Sequence, residues 1–266
     1  MTNGESVAST LRETGLGGVA LSWDDVLHVG PLAFDPVESN RVRAAFLAEH
    51  GWGEAQAIER DFARRDELLA RAIRDGDHVV LWFEHDLFDQ LQLLQVLSVI
   101  EEPTRGQVEL IQSDDYLGAL DRAALEALWG SRRPVEAATF EHARRAWRSI
   151  CEGDLAAVPD EPALPFLGAA VRRLQQEREP LSRTKRQLLA ALEEGARTPI
   201  EAFHANQAQE DAIFLGDAWA FADLHALSEA GLVTALPVPP PRGDHAAFAQ
   251  AAVGLTDAGR AVVGEA

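Results

Sequence analysis

The chain has 266 residues, of which 47% are hydrophobic and 25% charged, as in ordinary soluble globular proteins of about two domains. Its net charge of −19 disfavours nucleic acid as a partner, because binding a phosphate backbone requires cationic surface that displaces counterions. The single cysteine, Cys151, excludes an internal disulfide. Together with the lack of a signal peptide in MTNGESVAST and of an apolar run of ~18 residues, it predicts a cytoplasmic protein without membrane spans.

The N-terminal residues are predicted to form a helix and then a short strand. ESVASTLRETG (5–15) has the pattern of a helix, with Asn3 or Ser6 as its N-cap. The apolar run VAL at 19–21 predicts a strand.

A turn and two amphipathic helices are expected next. Gly30-Pro31 marks the turn. Apolar residues at helical spacing predict helices at 39–50, with Ser39 as the N-cap, and at 54–74, ended by Gly76.

The stretch VVLWFEHDLFDQLQLLQVL (79–97) predicts a buried strand followed by a helix. Its first five residues are apolar without alternation, as in parallel strands that are buried on both faces. Leucines recur at helical spacing after Asp86, and VELIQ (108–112) predicts another strand. This alternation of short strands and helices predicts an α/β fold with a mainly parallel N-terminal sheet and flanking helices.

Beyond about residue 119 the pattern is helical and gives no strand signal before residue 180. Helices are predicted at 121–129, 135–151 and 164–178. The predicted organisation is therefore an α/β domain (1–118), an all-helical connector (119–180) and a winged-helix-like domain (181–266).

The winged-helix prediction rests on the order of the last elements. Helices are predicted at 184–194, 199–206 and 218–230, followed by LVTAL (232–236) as a strand. The ending GLTDAGRAVV resembles the closing helix of many winged-helix regulators.

The third of these helices does not have the composition of a DNA reader. DAWAFADLHALSEAG contains Asp217, Asp223 and Glu229 and not one lysine or arginine. Base and phosphate contacts depend on basic and amide side chains. A docking or dimerisation module is therefore favoured over nucleic-acid binding.

Acidic and imidazole side chains follow two of the predicted strands. Glu84, His85 and Asp86 come directly after VVLWF, and the loop after 19–21 supplies Asp24, Asp25 and His28. Ligands of open α/β sheets sit beyond the carboxyl ends of the strands. If the two strands are neighbours, these groups form a mixed cluster that can bind a divalent metal or act as acid and base.

Helix chemistry alone explains part of this cluster. Asp86 is suited to be the N-cap of the following helix, and Asp89 favours its positive end. Capping does not explain Glu84 and His85, since a charged pair at the end of a buried strand must be paired, hydrated or functional. Catalytic candidates are Glu84, His85, Asp86, Asp25 and His28; ligand-binding candidates are Asn3, Asp24, Asp89 and Gln90.

Motifs of several large enzyme classes are absent. The chain has no GxxxxGK[ST] phosphate loop, no GxGxxG after a strand, no GxSxG elbow, and no CxxC or HExxH spacing.

Several stretches together resemble the bacterial family called domain of unknown function 1835. They are WFEHDLFDQLQLLQ, SWDDVLHVGPL, TNGES, LPFLGAAVRRL, SRTKRQLLAALEEG and FLGDAWAF. The resemblance implies no reaction, but it implies that the stretches around Asp25–His28 and Glu84–Gln90 are the family's hallmark. Members tend to have an apolar strand before the TNGDS-like segment, whereas Met1 here directly precedes Thr2, so a start upstream of Met1 is expected.

Two functions stay open at this point. The first is a cytosolic hydrolase or transferase for a small phosphate-bearing or polar substrate, with a divalent metal as the candidate cofactor. Glu84 or Asp25 would then be a base or ligand, His85 and His28 acid–base groups or ligands, and Asp86 an orienting group. The second is a non-catalytic ligand-binding module that signals to a protein partner, or to a second copy of the chain, through its acidic tail.

Overall fold

The computed structural model describes residues 1–101, 103–158, 160–240 and 243–264. It is a mixed α/β structure, which confirms the predicted class at that level. The chain forms two compact units, one made of residues 1–48 and 53–172, the other of residues 49–52 and the chain from Arg173 onward.

The N-terminus of the first unit is an extended segment and a helix, α1 (Glu5–Arg12). Gly4 occupies the N-cap position without a side-chain cap, so neither Asn3 nor Ser6 caps α1 as predicted. The predicted strand at 19–21 is also wrong: these residues form no strand, and Val19 is 89% exposed.

Thr2 instead forms the link between the first loop and the sheet. It makes isolated parallel bridges to Ser22 on one side and Trp82 on the other. The Trp82 N–H donates to the Met1 carbonyl at 2.8 Å, and the Trp23 N–H donates to the Thr2 carbonyl at 2.8 Å. The loop that carries Asp24 and Asp25 therefore follows a backbone segment that lies beside Thr2.

Two long helices come next, α2 (Pro36–Glu49) and α3 (Ala55–Asp75). Ser39 is inside α2 and not its cap; the Asp35 side chain accepts the Glu38 N–H at 2.9 Å instead. α3 ends as predicted at Gly76, which has the left-handed conformation that favours glycine.

The sheet has three strands in the order β1 (Val79–Glu84), β2 (Val108–Ser113) and β3 (Arg133–Pro134). β1 and β2 are parallel, with Val79 opposite Val108 and Glu84 opposite Ser113. β3 is antiparallel to β2, and it contradicts the prediction that no strand lies between 119 and 180. Every residue of β1 is buried, as its continuous apolar run predicts.

α4 (Leu87–Val99) follows β1 after a single turn. Asp86 is its N-cap and accepts the Asp89 N–H, as predicted. Eleven of its residues are buried, and five of these are polar: Asp89, Gln90, Gln92, Gln95 and Ser98.

The remaining helices of the first unit pack around this strand–helix pair. They are α5 (Arg122–Leu128), α6 (Ala137–Glu152) and the start of α7 (Leu167–Glu177), with short 3-10 turns between them. One core cluster joins α1, the sheet and α5 through Val7, Val80, Trp82, Ile111 and Leu125.

The second unit contains α8 (Arg183–Glu194), α9 (Pro199–Gln207), α10 (Asp217–Glu229), α11 (Ala246–Ala249) and α12 (Asp257–Gly264). The predicted strand at 232–236 is reduced to one antiparallel bridge between Val233 and Leu255. The short helix α11 between the bridged residues was not predicted. The three-domain division at 118 and 180 stays a prediction.

In the described ranges, no helix combines the length and the apolar character that crossing a bilayer requires.

Candidate acidic site at the strand ends

The carboxyl end of β1 brings together three acidic side chains. Glu84 is the last residue of the strand, Asp86 caps α4 and Asp89 lies in the first turn of that helix. Only His85 and Asp86 separate the end of β1 from the start of α4, so the three side chains converge. One carboxylate oxygen of each lies within 4.8 Å of the others. All three residues are buried, and Asp89 is fully inaccessible.

Backbone and amide groups donate hydrogen bonds to this cluster. Asp89 accepts the Glu84 N–H at 2.6 Å through Oδ1 and the Asn3 side-chain amide at 2.6 Å through Oδ2. The Asn3 amide also reaches Glu84 Oε1 at 3.4 Å, and the Leu117 N–H donates to the same oxygen at 2.8 Å. Asn3 is therefore a part of the cluster, as predicted for a ligand-binding position, because the bridges of Thr2 place it beside β1.

In the described part of the chain, the three carboxylates have no lysine or arginine as a counter-ion. Burial raises the pKa of Glu84, raises that of Asp86 to about 7 and raises that of Asp89 well above its ordinary value, with repulsion from the neighbouring carboxylates adding to the effect at both aspartates. The cluster therefore holds protons at neutral pH or requires a cation.

The donor set indicates which cation would fit. Carboxylate oxygens are hard ligands of the kind that Mg²⁺, Mn²⁺ and Ca²⁺ prefer. Three buried carboxylates without a basic partner carry an electrostatic cost that a divalent ion would remove. The same three groups, when they share protons, can also act as acid and base near neutral pH.

His85 lies between two members of the cluster in sequence and packs among aromatic rings. Its ring centroid is 5.1 Å from that of Tyr116 and 5.9 Å from that of Phe166. Its Nδ1 atom is buried and has no hydrogen-bond partner within the described part of the chain. The imidazole is half-buried and lies one residue from both Glu84 and Asp86 in the chain, which makes His85 a candidate for proton transfer.

Asp25, the other predicted base, is committed to an ion pair. The fully buried Arg43 of α2 donates from Nη2 to Asp25 Oδ1 at 2.8 Å and from Nε to both carboxylate oxygens at 3.1 Å. The same guanidinium donates to the carbonyls of Val29 and Val26. Asp25 thus holds its loop against α2.

The other members of that loop have different surroundings. Asp24 is exposed and accepts the Ser22 hydroxyl at 2.7 Å. His28 is buried with its ring edge towards Phe88, at a centroid distance of 6.3 Å. The loop is tied to α4 by Gln92, whose amide donates to the Asp25 carbonyl at 2.8 Å.

Gln90 has a positioning role. Its amide donates to the Glu84 carbonyl at 2.5 Å and so fixes the turn between β1 and α4. Sequence reasoning did not find Arg43 as the partner of Asp25, nor Leu117 and Tyr116 beside Glu84 and His85. The burial of Arg43 depends on how α2 packs and gives no local signal, and neither Leu117 nor Tyr116 is a residue type that by itself indicates such a site.

Comparisons with known proteins add no homologue. No family model matches the chain, and neither a curated protein nor a solved structure is similar to it. Function must therefore be argued from the site itself.

Proposed function

We propose that this chain is a cytoplasmic hydrolase or transferase that uses a divalent cation to act on a small phosphate-bearing or polar substrate. The observation that carries the proposal is the cluster of Glu84, Asp86 and Asp89, three buried carboxylates that converge and, among the described residues, have no lysine or arginine partner. A second observation concerns His85, which lies between Glu84 and Asp86 in the chain: its buried Nδ1 has no hydrogen-bond partner among the described residues, so it is available as a proton-transfer group.

Each residue has a distinct role in this proposal. Glu84, Asp86 and Asp89 hold the cation, and Asn3 orients the carboxylate of Asp89 through its 2.6 Å hydrogen bond. When bound, the cation polarises a phosphoryl oxygen and lowers the pKa of bound water. His85 gives or takes the proton of the attacking or leaving oxygen.

The position of the cluster in the fold supports the same function. Open α/β sheets bind ligands beyond the carboxyl ends of their strands, and the cluster lies at the carboxyl end of β1. Asp114 follows β2 at the same edge but is exposed and is not one of the three converging carboxylates.

The test is cation-dependent hydrolysis by the full chain. Release of p-nitrophenol from p-nitrophenyl phosphate and from its diester would be followed with Mg²⁺, with Mn²⁺ and with EDTA. We expect turnover only with a cation, its loss in Asp86→Asn, and a decrease of about 10²-fold in His85→Asn. Asp114→Asn is the matched control at the same edge and should retain full activity. Turnover that persists in EDTA or in Asp86→Asn would contradict the proposal.

A second candidate function is a regulatory module whose tail binds a protein and not DNA. The basic residues at the start of α8 are already paired: Lys185 lies 3.4 Å from Asp223, Arg186 lies 2.6 Å from Glu179, and Arg183 lies 4.0 Å from Glu210. Since α10 adds no lysine or arginine, the described residues of α8 and α10 offer no unpaired basic side chain to a phosphate backbone. Anisotropy with a labelled duplex at low salt should show no binding; saturable binding that weakens with salt would contradict this.

We also propose that the chain belongs to the family that it resembles, domain of unknown function 1835. The two hallmark stretches of that resemblance are adjacent, because Gln92 of α4 donates to Asp25 and His28 packs against Phe88. Such adjacency supports a shared role for these stretches.

A further inference from the structure

The second unit contains a cleft that the proposed catalytic site does not use. Its volume is about 640 Å³, within the range of small-molecule pockets. Its walls are formed by residues 49–52, by one face of α10 and by the segment 238–240.

Aromatic rings dominate the walls of this cleft. Trp52 and Trp219 stack with their ring centroids 5.9 Å apart and their planes within 10° of parallel. His50 lies against Trp219 at a centroid distance of 5.5 Å. Val238, 76% exposed, and Pro240 extend the apolar surface.

The charged residues that line the described part of the cleft are acidic. Glu49 and Glu229 line it and are exposed, and no lysine or arginine is among the described lining residues. His225 also lines it, and its buried Nδ1 has no hydrogen-bond partner within the described ranges. Stacked indoles with carboxylates at the rim favour a cation with an apolar body, since a ring face attracts positive charge and the carboxylates repel anions.

We propose that this cleft binds a small organic cation with a flat apolar body. The body stacks on Trp52 and Trp219, and the charged group lies towards Glu49 and Glu229. Phosphate-bearing molecules, the substrate class of the acidic site, are excluded from the cleft by its negative rim. The proposal is therefore independent of the catalytic one, and its failure would leave that one unaffected.

The test uses three probes that share a benzyl group and differ in charge: benzyltrimethylammonium, benzyl alcohol and phenylmethanesulfonate. Binding to the full chain would be measured by ligand-observed NMR titration. We expect the cation to bind about ten-fold more tightly than the neutral alcohol, and the sulfonate not to bind. A cation that binds no better than the alcohol would overturn the proposal.

Variants locate the site and separate its two components. Trp52→Leu should abolish binding of the cation, whereas Trp129→Leu, at another half-buried tryptophan in the first unit, should leave it unchanged. The double variant Glu49→Gln, Glu229→Gln changes only exposed side chains, so it should fold and should lower the affinity for the cation to that for the alcohol. Equal loss of binding in Trp129→Leu, or an unchanged preference in the double glutamine variant, would contradict the assignment.

Discussion

Asp86 and Asp89 face each other across the first turn of α4, where Asp86 Oδ1 accepts the Asp89 N–H at 2.9 Å. The hydrogen bond that starts the helix therefore also holds two carboxylates together in a buried place, and Glu84 of β1 adds a third. The stability of this region and its ligand binding depend on whether protons or a cation neutralise these three carboxylates.

Asp86→Asn should stabilise the metal-free protein at high pH. The pKa of Asp86 is raised from 3.8 to about 7 in the folded protein, so the folded state retains a proton that the unfolded chain releases, and the free energy of unfolding decreases as the pH rises from about 4 to about 7. Asparagine keeps the cap without the charge. We expect a gain on the order of 2 kcal/mol at pH 8 and none at pH 4, measured by urea unfolding in EDTA. Asp114→Asn, at an exposed aspartate, is the control and should show no such gain. A lower stability of Asp86→Asn than of the wild type at pH 8 would refute this account.

Cation binding should release protons and tighten with pH. The raised pKa values of Asp86 and Asp89 mean that a cation must displace protons from the cluster near neutral pH. Calorimetric titration with Mn²⁺ in two buffers of different ionisation enthalpy should give different heats, and the affinity should rise from pH 6 to pH 8. Heats that do not depend on the buffer, with an affinity that does not depend on pH, would show that the carboxylates are already ionised.

Asp25→Asn should destabilise the protein without affecting cation binding. Its carboxylate and Arg43 are both about 1% exposed, so the variant leaves a buried guanidinium without its counter-ion, at a cost of about 3–5 kcal/mol. Glu38→Gln, which breaks the exposed pair with Arg41, is the matched control and should cost less than about 1 kcal/mol. Urea unfolding gives both numbers. A loss of Mn²⁺ affinity in the Asp25 variant, beyond that explained by unfolding, would mean that Asp25 belongs to the site.

Gly30→Ala should cost more than Gly76→Ala. Both glycines have a positive φ near 80°, a left-handed conformation that alanine disfavours, so each substitution should lower the free energy of unfolding by about 1 kcal/mol. A Cβ at Gly30 would also lie 2.6 Å from the Phe46 ring, whereas none of the non-neighbouring atoms lies within 4 Å at Gly76. We expect a further ~1–3 kcal/mol at Gly30, measured by thermal unfolding. Equal costs would show that Phe46 moves aside freely.

The strand and helix around the site were predictable because their signals are local. The unbroken apolar run of β1 predicts a buried strand, and the aspartate before α4 predicts a helix N-cap; each signal lies within a few residues. Prediction failed where a role depends on distant residues. The run at 19–21 lacks a neighbouring strand, because Thr2 occupies the place beside β1 and pairs only with Ser22 on its other side.

The site was predictable in part for the same reason. Glu84 and His85 stood out because capping does not explain them, and the turn between β1 and α4 brings Asp89 to Glu84. The predicted base Asp25 forms an ion pair with Arg43, eighteen positions along the chain. This pairing depends on how α2 packs, which residue spacing does not reveal.

The most direct test of the acidic site is Mn²⁺ binding measured by electron paramagnetic resonance of the free ion at pH 7.5. The account predicts one bound ion per chain, with an affinity reduced by at least ~100-fold in Asp86→Asn, Asp89→Asn and unchanged in Asp114→Asn. Absence of binding to the wild-type chain, or equal binding by the double variant, would contradict the claim that Glu84, Asp86 and Asp89 form a cation site.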